Sequence, residues 1–321
     1  MRSVDISDPA PSPLDFAAPA HTLLGARAAE YAGVKPTTEA GLTDHERRIG
    51  RRVHLGQAFA QPGKVPLTKP DEVAVARRAD TALIQCWKPT RRWRDAGGND
   101  PHTTTYITKV AQAIARSGGR VLLTIHHEPE NDVGSYGTAA DYVNMFRHVK
   151  SVFTDQGVTN ALFVIGFMNY PKWDDLVPRL WPGDDHAPDW IMFNAYGSAA
   201  RPRYADNVQR FYEKLATDAW FPAAGRPWGV REWGIADVPR EVALGYYRDA
   251  AAALQAAAFP LLKAHVLFDS PGTHHEVGLP IGFWDNGSAA PEKIEVYREF
   301  AHHSVFGPVA APLRDEPLPG L

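Results

Sequence analysis

Glu128 and Glu232 carry the chemistry that this sequence can do. Glu128 closes the stretch Val121-Leu122-Leu123-Thr124-Ile125-His126-His127-Glu128, and Glu232 closes Pro227-Trp228-Gly229-Val230-Arg231-Glu232. Each follows a short apolar run, so each is delivered at the end of a strand. Hydrolysis of a glycosidic bond needs such a pair. One carboxylic acid protonates the leaving oxygen, and a second carboxylate attacks the anomeric carbon or activates water. Strand ends hold such groups more rigidly than loops do. A separation of about 5–5.5 Å would retain configuration and about 6.5–9.5 Å would invert it.

Other side chains could serve the same site. Strand side chains alternate, so one of His126 and His127 should face inward. His127 is expected to hydrogen-bond near the pair and orient one glutamate, whereas His126 reads equally well as a satisfied strand-end histidine. The same alternation points Arg231 away from Glu232 and into a structural ion pair. Pyranose rings stack on aromatic faces. The candidates are Trp87, Trp93, Tyr136, Tyr170, Trp173, Trp233 and Trp284, with core packing as the alternative for most. Asn131 and His275 are further substrate-binding candidates. Glu130, Asn131 and Asp132 offer hard oxygen ligands to calcium, although a solvated turn is the preferred reading. Arg91 to Arg94 and Arg203 suit an acidic sugar, against the plainer reading of solvated loop charge. His126-His127-Glu128 and His274-His275-Glu276 invite a metal reading, but the chain has no His-Glu-x-x-His pattern. No metal and no other cofactor is expected, since neither Gly-x-Gly-x-x-Gly nor a Walker loop follows any strand.

The elements that must position these groups recur as apolar run, polar loop and amphipathic stretch. Strands are expected over residues 22–26, 52–59, 81–87, 121–125, 161–167, 190–196, 228–232 and 264–269. Helices are expected after a capping box at Thr43, from Pro70 to Ala79, across Tyr106–Ile114, after Thr138 and from Arg240 to Ala258. Eight buried strands alternating with helices spell an α/β fold of the (β/α)8 TIM-barrel class. A doubly wound open sheet is the alternative. The catalytic barrel is expected over residues 21–306, after a proline-rich tail or linker at 1–20 and before a tail at 307–321.

Composition narrows the function further. The 321 residues, 44% hydrophobic and 22% charged, suffice for one large core. A net charge of −3 gives no broad basic face for nucleic acid. No apolar run is long enough for a membrane span, and the start lacks a signal-peptide pattern. The single cysteine, Cys86, reads as a buried inert thiol. A monomer is expected.

From about Thr104 to Ala236 the chain resembles glycoside hydrolase family 26. His127-Glu128 resembles that family's fourth-strand His-Glu. Ala140-Asp141-Tyr142-Val143 through Val149 resembles its next helix, and Thr159-Asn160-Ala161 its entry to the fifth strand. Trp181-Pro182-Gly183-Asp184 through Asp189-Trp190 resembles its Tyr-Pro-Gly-Asp segment, and Arg231-Glu232-Trp233-Gly234 its nucleophile motif. The resemblance implies Glu128 as acid/base, Glu232 as nucleophile and Tyr196 as the tyrosine contacting it. It implies a retaining enzyme acting on a β-linked glycan, with β-mannan favoured, and hence a secreted or cell-surface setting. The turn Pro129-Glu130-Asn131-Asp132 departs from the family's Met-Asn-Gly, and Tyr136 stands where tryptophans usually follow. The departure motivates two rival readings: a carbohydrate-binding barrel that has lost catalysis and, less favoured, a metal-dependent hydrolase.

Overall fold

Eight parallel strands close into a barrel in sequence order: β1 (Leu23–Ala28), β2 (Leu55–Ala60), β3 (Ala82–Trp87), β4 (Val121–Ile125), β5 (Ala161–Phe167), β6 (Trp190–Gly197), β7 (Trp228–Ile235) and β8 (Leu262–Asp269). β8 pairs with β1, which leaves no open edge. This computed structural model describes residues 14–17, 19–28, 37–272, 280–285 and 288–308. The (β/α)8 expectation holds, and the doubly wound alternative is excluded by the closure.

The strands are apolar on both faces because both faces are buried. One face packs inside the barrel through Leu23, Leu55, Ile84, Leu122, Val164 and Met192. The other, with Leu83, Leu123 and Phe163, packs on the helices. In chain order these are α1 (Leu14–Ala17), α2 (Thr38–Ile49), α3 (Pro70–Ala76), α4 (Pro101–Ser117), α5 (Pro129–Asp132), α6 (Ala139–Asp155), α7 (Tyr204–Ala216), α8 (Arg240–Gln255) and α9 (Pro291–Ala301). The short turn α1 puts Phe16 into the interior cluster, where its carbonyl accepts from Trp190 Nε1 at 2.6 Å. None of the described helices is long and apolar enough to cross a membrane.

Local chemistry sets the helix ends. Thr138 and Asp141 form a reciprocal capping box at α6. Asp100 caps α4, Pro101 takes its first position, and Gly118 ends it in the left-handed region. The expected start of α2 at Thr43 is corrected: Thr37 is the cap, accepting from Ala40 N, and Thr43 lies inside the helix. Glu46 is not a capping group there. It is buried and pairs with Arg52 and Arg78.

Gly119, between α4 and β4, is fixed by close approach. A Cβ there would stand 2.5 Å from Ala76 Cβ and 2.7 Å from its carbonyl carbon. Backbone cannot yield as a flexible side chain can, so Gly119→Ala is expected to cost about 1–3 kcal/mol in urea unfolding. An unchanged midpoint would show that the α3–β4 contact is loose.

Candidate active site

The two glutamates meet because β7 is irregular. Phe193 of β6 pairs with Val230, but the next residue, Asn194, pairs with Glu232, so Arg231 is an extra residue on β7. The β7–β8 register slips at the same place, between Val230 and Trp233. A bulge of this kind breaks strand alternation. Arg231 therefore turns toward Glu232, and the expectation that it points away is corrected. Its guanidinium is fully buried, with Nη1 2.7 Å from Glu232 Oε1 and Nη2 3.2 Å from Glu128 Oε1. Nη2 also donates to Asn194 Oδ1 at 2.9 Å and Nη1 to Cys86 Sγ at 3.4 Å. Burial works against its charge, but Glu232, then Cys86 and Glu128, hold it in the charged form.

The two carboxyls have different surroundings. Glu232 Oε1 also accepts from Gln57 Nε2 at 2.8 Å, and Oε2 accepts from Tyr196 OH at 2.9 Å. Glu128 Oε1 accepts from Asn194 Nδ2 at 2.6 Å. The Glu128 side chain remains 23% exposed, against 7% for Glu232. Burial, and then the charge of Glu232, push the Glu128 carboxyl above its usual range against the pull of Arg231. Burial and the neighbouring Glu232 hold the Tyr196 phenol well above its usual value, so it stays a donor. Cys86 is buried as expected, and burial raises its thiol pKa. Both glutamates, His127, Tyr196, Gln61, Phe59, Phe268 and Ile281 line an open cavity of ≈ 430 Å³ at the strands' C-terminal end.

At the end of β4 the backbone turns left-handed twice, with φ 51° at His126 and 55° at Glu128. Continued alternation would carry His126 inward after Leu122 and Thr124. The left-handed turn instead sends it outward, and His127 lines the cavity. His126 Nδ1 accepts from Trp93 Nε1 at 3.0 Å, which leaves Nε2–H to donate to Asp132 Oδ2 at 2.7 Å. Lys88 Nζ donates to the same oxygen at 2.6 Å. Against burial, these bonds hold Asp132 below the usual carboxylate range. Burial lowers the His126 pKa to about 4. His127 is also neutral, with burial and then Arg231 holding its pKa well below the usual value. No described hydrogen bond joins His127 to either glutamate, and its Nδ1 has no partner. Its expected orienting role is corrected accordingly. Glu130 is fully buried and accepts from Met168 N at 2.6 Å, and burial raises its pKa to about 8. The turn from Pro129 to Asp132 is thus anchored rather than solvated, and neither acidic side chain is left open for calcium. Among the described residues no group of three or more His, Cys, Asp or Glu side chains is placed to hold a metal ion. The His274-His275-Glu276 segment lies outside the described residues.

No protein-family model matches the chain, and no curated protein sequence matches it. Solved structures do. The catalytic domain of a Bacillus sp. JAMB-750 GH26 endo-β-1,4-mannanase superposes with a TM-score of 0.64 at 13% identity, covering 92% of this chain and 89% of that one. GH26C from Muricauda sp. MAR_2010_75 gives 0.65 at 12% identity, covering 95% and 90%. A GH26 β-mannanase from Bacteroides ovatus gives 0.63 at 14%, covering 94% of both. The fold is that of glycoside hydrolase family 26.

Within this family 26 fold, most of the expected sugar platforms lie elsewhere. Trp87 ends β3 on its outer face, fully buried, and donates to Tyr106 OH. Trp93 is fully buried against His126, Tyr136 and Tyr142. Trp233 follows the bulge outward into a cluster with Tyr204, Tyr247 and Phe300. Trp284 is buried beneath Arg48. These four are core residues, so their expected sugar contacts are corrected. For Trp87 and Trp233 the strand position explains it: a large ring on the outer face of the barrel must be covered by helix. Tyr136 is half-buried under Lys88, Trp173 is half-buried under Lys172 and Asn131 is exposed. None of the three lines the cavity. His275 lies outside the described residues.

Sequence reasoning missed Gln57, Asn194, Phe59 and Phe268. The signal was present for two of them. Gln57 and Asn194 continue the inward phase of Leu55 on β2 and Met192 on β6, and a polar residue on an inward phase near a strand end asks for a partner.

Two titrations follow from this geometry. Glu232→Gln removes a negative charge beside Glu128 and should lower the Glu128 pKa, whereas Arg231→Gln removes the opposing cation and should raise it. Carboxyl carbon NMR on labelled protein reads both, and shifts in the same direction would rule out the bridge as the controlling interaction. His126 is neutral in the fold down to about 4, while an unfolded histidine charges below about 6.5. Stability is therefore lost as pH falls between those values. The stability advantage over His126→Gln should shrink by about 2 kcal/mol from pH 7 to pH 5 in urea titrations.

Proposed function

We propose that the protein is a retaining β-glycoside hydrolase in which Glu232 is the nucleophile and Glu128 the acid/base. One observation carries this reading: a single buried guanidinium bridges two strand-end carboxyls beneath an open cavity. A span of one guanidinium favours the closer spacing, about 5–5.5 Å, of retaining enzymes. Glu232 accepts from Gln57 and Tyr196 and pairs with Arg231, so both of its oxygens are held in place. It attacks the anomeric carbon and forms a glycosyl-enzyme ester. Glu128, its carboxyl pushed above the usual range by burial and by Glu232, protonates the leaving glycosidic oxygen. Once Glu232 is esterified its charge is gone, the Glu128 pKa falls, and Glu128 stays as the carboxylate that can act as base. It then takes a proton from the water that cleaves the ester. Tyr196 keeps the Glu232 oxygens oriented through both steps.

The substrate favoured is a β-1,4-mannan-type glycan, because several solved structures of this fold are described as β-mannanases. Such a polymer would be met outside the cell. The ten residues that line the cavity, His127 among them, leave room for a short stretch of glycan.

Release of reducing ends from a panel of β-glycans including mannan tests the assignment. Glu128→Gln and Glu232→Gln should each lose about a thousandfold in turnover without unfolding. Azide should rescue Glu232→Ala with formation of the inverted glycosyl azide. Oligosaccharide binding with no reducing ends from the unaltered chain would point to a binding barrel instead.

A further inference from the structure

Beside the catalytic cavity lies a second opening, of ≈ 520 Å³, between the loop that follows β2 and the loop that follows β3. One loop reaches both openings: Gln61 lines the first, and Pro62 and Gly63 line the second. Its far wall carries Arg91 and Arg92, with His102 and Tyr106 of α4 behind them. This chain has a net charge of −3, so the concentration of cations here is local rather than general.

The walls are held in place. Tyr106 OH donates to the Lys64 carbonyl at 2.6 Å and receives Trp87 Nε1 at 3.1 Å, which ties the β2 loop to α4 and β3. Pro62 and Pro89 stiffen the two loops. Trp93 N donates to the Tyr136 carbonyl at 2.9 Å and fixes the arginine-bearing loop from below. On this frame Arg91 is exposed and makes no ion pair or hydrogen bond among the described residues. Arg92 pairs with Asp95 at 2.8 Å yet its side chain stays 66% exposed. Asp95 is thereby neutralised, and the guanidinium of Arg91 is left as uncompensated charge facing the opening. A guanidinium recognises carboxylate with paired, charge-assisted hydrogen bonds.

We propose that this opening is a distal glycan subsite for an acidic sugar, in which Arg91 and Arg92 bind the carboxylate of a uronate unit while the chain continues into the catalytic cavity. The proposal rests on the glycan-hydrolase reading for the polymer's path. It assigns the loop arginines a substrate rather than solvent.

The test is equilibrium binding by the full chain, and by Glu232→Gln to prevent turnover. The probes are a β-1,4-linked mannuronate hexamer and the neutral β-1,4-linked mannohexaose of equal length. The acidic hexamer should bind about tenfold more tightly at about 0.05 M salt, with the advantage fading near 0.5 M. Arg91→Ala/Arg92→Ala should reduce the advantage to within about twofold. Both residues are exposed, so the unfolding midpoint of that variant should hold, and Arg91→Glu should favour the neutral hexamer outright. Equal binding of the two hexamers, or a preference that survives the double substitution, overturns the proposal. So does displacement of the acidic hexamer by inorganic phosphate at equal charge, which would mark a bare anion site. The two readings fail separately. If Glu232→Gln releases reducing ends as fast as the unaltered chain while the acid preference persists, the hydrolase reading falls and the subsite stands. If the neutral hexamer is cleaved and bound as tightly as the acidic one, the subsite falls and the hydrolase reading stands.

Discussion

A guanidinium buried without partners would cost several kcal/mol, and the upper barrel is built around preventing that for Arg231. Its partners come from four strands or strand ends: Glu128 after β4, Asn194 on β6, Glu232 beside it on β7 and Cys86 on β3. Gly166 of β5 leaves the room, since a Cβ there would stand 3.1 Å from Arg231 Nε. The bulge in β7 is the structural condition for all of this. With regular alternation either Arg231 or Glu232 would face the helices, and the other would be left inside without its counter-charge. The ion pair and the irregular strand therefore stand or fall together.

From that one interaction the two carboxyls acquire different characters. Both touch the same cation, so the cation cannot distinguish them. The remaining donors do. Glu232 has a phenol on one oxygen and an amide on the other, whereas Glu128 has a single amide and an open side toward the cavity. Two like charges so close cannot both be ionised cheaply, and the member with fewer protein donors is the one pushed up. The donor count makes that member Glu128.

The barrel was legible because burial on both faces leaves a plain trace, and runs such as Ala161–Phe167 and Trp190–Gly197 are apolar throughout. The paired glutamates were legible because each ends such a run. Arg231 was not, because a bulge has no apolar signature and alternation is the rule it breaks. The left-handed turns at His126 and Glu128 were hidden for a similar reason, a positive φ at a residue that is not glycine, although His127 lines the cavity as its position suggested. The tryptophans misled because a strand-end position is compatible with either face. Only the phase of the neighbouring apolar residues, such as Ile84 and Cys86 inward on β3, tells that Trp87 faces out.

The turn after Glu128 is where this chain departs most from the family it resembles, and the structure gives that departure a physical content. Two left-handed residues in three positions are costly, and such conformations persist only where the surroundings over-determine them. Here Asp132 supplies the constraint. It receives His126 and Lys88 on one oxygen, while its carbonyl receives Tyr136 N at 2.8 Å. Trp93 locks the other side of His126. Glu130 pins the turn to β5 through Met168, and the Glu128 amide does the same through the Gly166 carbonyl at 2.8 Å. The turn is therefore anchored at both of its ends and on both sides of His126. Glu128 thus keeps its left-handed conformation above a network in which His126, Asp132 and Lys88 hold one another. The cost of that strain is met by contacts on both sides of the turn, which fixes where the carboxyl is presented.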